Sequence, residues 1–149
     1  TLTPASQAII KQFEEPVHIT TYVNLLYENY YSGLPAGHNS DKNRFDMYFR
    51  FMPYLTMDYV YYWDHSTNER LYAENPGLSD EQLARKMAKT NKLPFKKFLT
   101  PAQIKKETDL SAERYRIVRK LRYKGKEVFL RVYDDLFQHL NEKETSALF

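Results

Sequence analysis

The chain contains no cysteine. Disulfides, thiolate metal sites and cysteine nucleophiles are therefore excluded together. Glycine is scarce at four residues, and loops that cradle phosphate depend on it. Gly33-Leu34-Pro35-Ala36-Gly37 supplies two glycines, but its proline offers no amide donor and no Lys-Ser or Lys-Thr follows. Nucleotide binding is thus disfavoured. Apolar runs reach only a few residues, against the ~20 of a membrane-spanning helix, so a soluble piece is expected. No Gly-x-Ser-x-Gly turn, internal repeat, low-complexity tract or basic-plus-apolar leader occurs. The chain opens Thr1-Leu2-Thr3-Pro4, the beginning expected of a processed or excised fragment.

What the chain has in abundance is aromatic surface. Its 149 residues include 13 Tyr, 9 Phe and one Trp, far more buriable area than a disordered chain carries. The length suits one domain with a real core, here expected over residues 1–140. Residues 141–149 read as the start of a following segment or domain. The net charge of +3 hides an asymmetry. Residues 85–131 carry 16 Lys and Arg against 4 Asp and Glu, whereas residues 1–84 carry 5 against 11. Such a split marks either solvated basic faces or a surface for an anionic partner.

Periodicity supplies the elements. Thr3-Pro4 reads as N-cap and first helical residue, with Ile9, Ile10 and Phe13 on one face of a helix ending before Pro16. Val17, Ile19, Thr21 and Val23 alternate as a β-branched strand. A long Tyr-rich loop follows over 24–40. A helix is expected from Ser40 or Asp41, with Phe45, Phe49 and Met52 inward and Pro53 as its stop. Leu55, Met57, Tyr59, Tyr61 and Trp63 mark the core side of a second strand, and the crossover is long enough for parallel pairing. Asn75-Pro76-Gly77 is a turn. Ser79 with Gln82 is a capping box, and Thr100-Pro101 opens another short helix. Tyr115–Tyr123, Lys124-Gly125 and Lys126–Tyr133 form a hairpin. Asn141 with Glu144 is a last capping signal. The order predicts an α/β fold with a thioredoxin-like mixed sheet, a βαβ unit plus a C-terminal β-hairpin, with flanking helices and no redox motif.

The search for chemistry is largely negative. His18, His38, His65 and His139 sit in separate segments without ligand spacing, so no metal or other cofactor is expected. Glu14-Glu15 and Asp134-Asp135 read as element-end acids rather than a catalytic pair. No catalytic residues are assigned and no enzyme is expected. Candidate interaction residues are the loop tyrosines Tyr27, Tyr30 and Tyr31, whose flat apolar bodies suit protein or sugar contacts. A second set is the basic row Arg116, Lys120 and Arg122, expected to face away from Tyr115, Ile117, Leu121 and Tyr123. That row carries no nucleic-acid-binding motif, and no nucleic acid is expected as a partner.

The opening stretch Thr3-Pro4-Ala5-Ser6-Gln7-Ala8-Ile9-Ile10-Lys11-Gln12-Phe13-Glu14-Glu15-Pro16-Val17-His18-Ile19-Thr20-Thr21-Tyr22-Val23 resembles the start of the extracytoplasmic region of GldG-like proteins. Leu34-Pro35-Ala36-Gly37 before a helix and strand, and the hairpin Tyr123-Lys124-Gly125-Lys126-Glu127-Val128, are similar to that family too. The tail Asn141–Phe149 resembles its passage into a second extracytoplasmic domain. The resemblance implies an auxiliary subunit of an ABC-2-type transport system, of the gliding-motility type or uncharacterised. On this expectation the chain is a non-catalytic, periplasmic part of a bacterial inner-membrane protein, acting as an interaction or substrate-contacting module. Its partners are the permease and ATPase subunits of the system, with an anionic membrane surface as a further contact for the basic row. The alternative is a carbohydrate-binding domain using the Tyr-rich loop.

Overall fold

The computed structural model describes residues 3–28, 30–35, 43, 45–113, 117–130, 140 and 142–149. They form a mixed α/β structure with a four-stranded sheet in the order β2-β1-β3-β4. The strands are β1 (Val17–Asn24), β2 (Leu55–Tyr62), β3 (Val118–Tyr123) and β4 (Lys126–Leu130). The helices are α1 (Pro4–Ile10), α2 (Asp46–Phe51), α3 (Glu69–Glu74), α4 (Asp80–Thr90), α5 (Pro101–Glu107) and α6 (Glu142–Leu148). Val17 N donates to Tyr54 O and Leu25 N to Tyr62 O, a constant sequence offset that runs β1 and β2 parallel. β3 and β4 pair antiparallel, Leu121 opposite Val128 and Arg122 opposite Glu127.

Contacts divide the chain into two compact units, residues 1–21, 35–58 and 118–149 in the first and 22–34 and 59–117 in the second. In the first unit, Thr3 Oγ1 accepts from Ser6 N and Pro4 opens α1, as the sequence predicts. The helix ends at Ile10, earlier than Pro16 requires. Its Ile9 and Ile10 join Val17, Ile19, Leu55, Leu121 and Tyr123 in one core. Each such side chain contributes about 1.5–3 kcal/mol when fully buried. From α2 come Tyr48 and the flanking Phe45 and Met52, while Phe49 is partly buried against the same cluster. The predicted start of that helix at Ser40 or Asp41 lies outside the described residues. Leu148 of α6 is buried in this core too, and Phe149 packs edge-on against Phe13. The hairpin turn holds Lys124 at φ 51° and Gly125 at φ 75°. Two consecutive positive φ values match the twist of a two-residue hairpin. The predicted hairpin ends at Tyr115 and Tyr133, Asp134-Asp135 and the capping residue Asn141 lie outside the described residues.

The second unit is organised by helix caps. Ser79 and Gln82 form a reciprocal capping box at α4, and Thr100 and Gln103 form another at α5. Leu83, Ala84 and Ala88 of α4 bury against Leu25, Leu26, Trp63 and Phe98. Helix α3, which the sequence reading leaves out, is six residues long, with Asn68 Oδ1 accepting from Leu71 N. The end of β2 departs from expectation. Tyr61, predicted as core, is only half-buried, whereas Tyr62 on the opposite face is fully buried. Trp63 N donates to Leu99 O and Leu99 N to Tyr61 O. Leu99 thus pairs with the end of β2.

Candidate interaction surface

Helix α2 turns Phe45, Tyr48 and Met52 inward at helical spacing, which leaves its other side to solvent. On that side Arg50 pairs with Asp46 at 2.8 Å, an i,i+4 bridge. Met47 and Phe51, also four apart, share the same exposed side. Pro53 cannot continue the helix, and Tyr54 follows it outward. Met47 is 36% exposed, Phe51 62% and Tyr54 64%. Single exposed apolar residues are ordinary, but three in eight positions make a patch.

Beside the patch runs a groove of about 240 Å³. Phe51, Pro53 and Tyr54 line it, together with Ile10 and Phe13 from the end of α1. Among the described lining residues the charge is of one sign, from Glu14 and Glu15. The backbone carrying these acids is tied down, because Glu14 N donates to Tyr123 Oη at 2.9 Å. Phe13 meets Tyr123 edge-to-face, with centroids 4.8 Å apart. The acids follow the C-terminal end of α1, where the helix dipole favours cations rather than carboxylates. Stabilising the helix therefore does not account for their position.

The residues singled out by sequence fall elsewhere. Tyr30 is half-buried against the second core, and its hydroxyl accepts from Asn91 Nδ2 at 3.1 Å. Tyr27 is half-buried, and the Tyr31 side chain and Arg116 lie outside the described residues. Within the basic row, Lys120 is not turned to solvent as expected, whereas Arg122 is half-buried. Lys120 is 5% exposed, with Nζ 3.2 Å from Glu127 Oε2. Arg122 Nε donates to Glu127 Oε1 at 3.0 Å and Nη1 to Thr20 Oγ1 at 3.1 Å. Its neighbour Arg119 is buried as well, lying over the Phe45 ring and donating to Thr21 Oγ1 at 2.8 Å. These cations organise a central strand rather than a charged surface. The corner formed by Met47, Phe51 and Tyr54 was missed because Phe51 looks interchangeable with Phe45 and Phe49 on a hydropathy scale. Its position relative to Tyr48 is the signal that separates them.

Two polar constellations complete the survey. In the first unit His18 Nδ1 lies 2.6 Å from Thr56 Oγ1 and Nε2 3.0 Å from Asp58 Oδ1. In the second, an open cleft of about 780 Å³ is lined by Asp64, His65, Ser66, Tyr72 and Ser111 among others. Tyr72 Oη donates to Asp80 Oδ1 at 2.7 Å and accepts from Ser66 N, and burial with this bond pushes the phenol up to about 12. His65 stacks on the Tyr72 ring and hydrogen-bonds the same carboxylate. Burial raises the Asp64 carboxyl, opposed by the His65 amide and the Lys105 charge. The two serine hydroxyls lining this cleft are turned to structure. Ser66 Oγ donates to Leu26 O and Ser111 Oγ to Asp109, so neither is aimed at the imidazole as a nucleophile would be. Among the described residues no cluster of three metal-ligating side chains occurs, and no helix is long and apolar enough to cross a membrane.

Comparison with protein-family models, curated proteins and solved structures finds no match to this chain.

Proposed function

We propose that the chain is a non-catalytic, extracytoplasmic domain of a membrane protein working alongside an ABC-2-type transporter, and that it serves there as a docking module. The observation carrying the docking role is the solvent exposure of Phe51 and Tyr54 beside a groove of mixed polarity in a folded α/β unit. Aromatic side chains of this kind dominate binding energy at protein interfaces. The segment that resembles GldG-like proteins folds as α1 and β1 and builds one wall of that groove.

A thioredoxin-like architecture without redox chemistry is the finer fold we infer. The order β2-β1-β3-β4 supports it, since a parallel βαβ pair is extended on the free edge of β1 by an antiparallel hairpin. The carbohydrate-binding alternative has less in its favour, because Tyr30 is engaged by Asn91 and the second core rather than presented as a stacking face.

The test is a photo-crosslinking residue placed at position 51 or 54 of the full-length protein in its native membrane. Crosslinks to the permease or ATPase of an ABC system are expected. Crosslinks confined to lipid, or none, speak against a docking role for this corner.

A further inference from the structure

The geometry of the groove points to the chemistry of its occupant: we infer that it receives a partner-protein segment in which an aliphatic or aromatic side chain stands next to Lys or Arg. This inference rests on the docking reading above and adds the partner's character to it.

Size comes first. At about 240 Å³ the groove falls below the roughly 300–1,000 Å³ of sites that enclose a drug-sized ligand. It matches a single anchoring side chain better than a free metabolite. Phe51 and Tyr54 provide the walls, and their exposed faces extend the contact beyond the groove itself. An apolar anchor packed against aromatic side chains is the arrangement in which interface hot spots occur.

Charge then selects the neighbours of that anchor. Glu14 and Glu15 line the groove and are exposed, on a backbone tied down by the Glu14 amide bond to Tyr123. A partner carrying Lys or Arg beside its anchor gains two opposite charges at the rim, where they steer association and fix register. The same carboxylates disfavour an anionic lipid surface, although exposed aromatics alone would suit one. They also disfavour a second copy of this chain. A two-fold contact sets a patch against itself, so the acids of one copy would approach those of the other.

The experiment is selection of a displayed random-peptide library on the 149-residue chain, followed by fluorescence anisotropy with the best peptide. Binding is compared among the wild type, Phe51→Ala, Tyr54→Ala and Glu14→Lys/Glu15→Lys. All four positions are exposed, and circular dichroism verifies that each variant keeps its fold. The expected peptides place an apolar anchor beside Lys or Arg. Either aromatic truncation weakens binding at least ~10-fold. The charge reversal weakens it about 3- to 10-fold and flattens its salt dependence. Peptides anchored on Phe51 and Tyr54 but acidic or uncharged, and indifferent to the reversal, would overturn the basic partner while leaving the docking corner standing. Three results overturn both readings: selection of no peptide that depends on Phe51 or Tyr54, a dimer in light scattering lost on Phe51→Ala, or binding to phosphatidylcholine–phosphatidylglycerol vesicles through these aromatics.

Discussion

Lys120 and Glu127 pair diagonally across the β3–β4 hairpin with unequal exposure, the lysine side chain 6% accessible and the glutamate 49%. The lysine thus depends on the glutamate more than the reverse. Glu127→Gln removes a counter-charge from a buried ammonium and is expected to cost about 1–3 kcal/mol, below the value for a fully buried pair because Glu127 is half in water. Lys120→Met keeps the volume and leaves Glu127 its Arg122 partner and its water, so it is expected to cost less than Glu127→Gln. Urea unfolding of both variants checks the asymmetry.

The same carboxylate sets an acid limb. Hydrogen bonds from Arg122 and then Lys120 hold the Glu127 carboxyl below its ordinary range. A depressed folded-state value contributes stability that is complete above the unfolded pKa of about 4.3 and is lost as pH falls through the folded value. The stability gap between wild type and Glu127→Gln is therefore expected to hold near pH 7 and to close on acidification below about pH 4. A gap that stays constant down to pH 2 would contradict the assignment.

At the alkaline end two tyrosines act together. Burial pushes the Tyr61 phenol up to about 12, and burial with the bond to Asp80 does the same for Tyr72. For an acid with a raised pKa the neutral form is the one the fold favours. The contribution is complete below the unfolded value of about 10 and declines between about pH 10 and 12. Tyr61→Phe and Tyr72→Phe should each flatten this alkaline decline, and ultraviolet titration should show fewer late-ionising phenols.

Gly33 is irreplaceable for a packing reason rather than a conformational one. A Cβ there would lie 2.4 Å from Val23 Cγ2 and 2.9 Å from Cγ1, and Val23 is fully buried and branched at Cβ. Gly33→Ala is expected to destabilise by about 1–3 kcal/mol. Combined with Val23→Ala, it should cost clearly less than the sum of the two single changes, the signature of direct contact in a double-mutant cycle. Strict additivity would place the strain elsewhere.

Much of the fold is legible in the sequence where the signal is local. Thr3 before Pro4, Ser79 with Gln82, Thr100 before Pro101, and Lys124-Gly125 each satisfy their own backbone donors or turn geometry, and each occurs as read. What periodicity does not reveal is which strands end up central. Tyr62 and Lys120 sit on faces that alternation assigns to solvent, yet both are buried, because a strand covered on both faces loses the alternation that marks a half-exposed one. The candidate surface was illegible for the reverse reason. Phe51 and Tyr54 have the composition of core residues, and their exposure shows only once α2 has turned Tyr48 inward and Pro53 has ended the helix. Their replacement by Ser should change stability by no more than about 0.5 kcal/mol, which separates a surface role from a packing role.

The most direct test of the docking account is affinity capture of the full-length protein from its native membrane, with and without Phe51→Ala/Tyr54→Ala, read by mass spectrometry. The account predicts co-purification of an ABC ATPase and a multi-span permease, reduced in the variant while the protein itself remains folded. Recovery of glycans or secreted proteins instead, or equal recovery of transporter subunits by both forms, would contradict it.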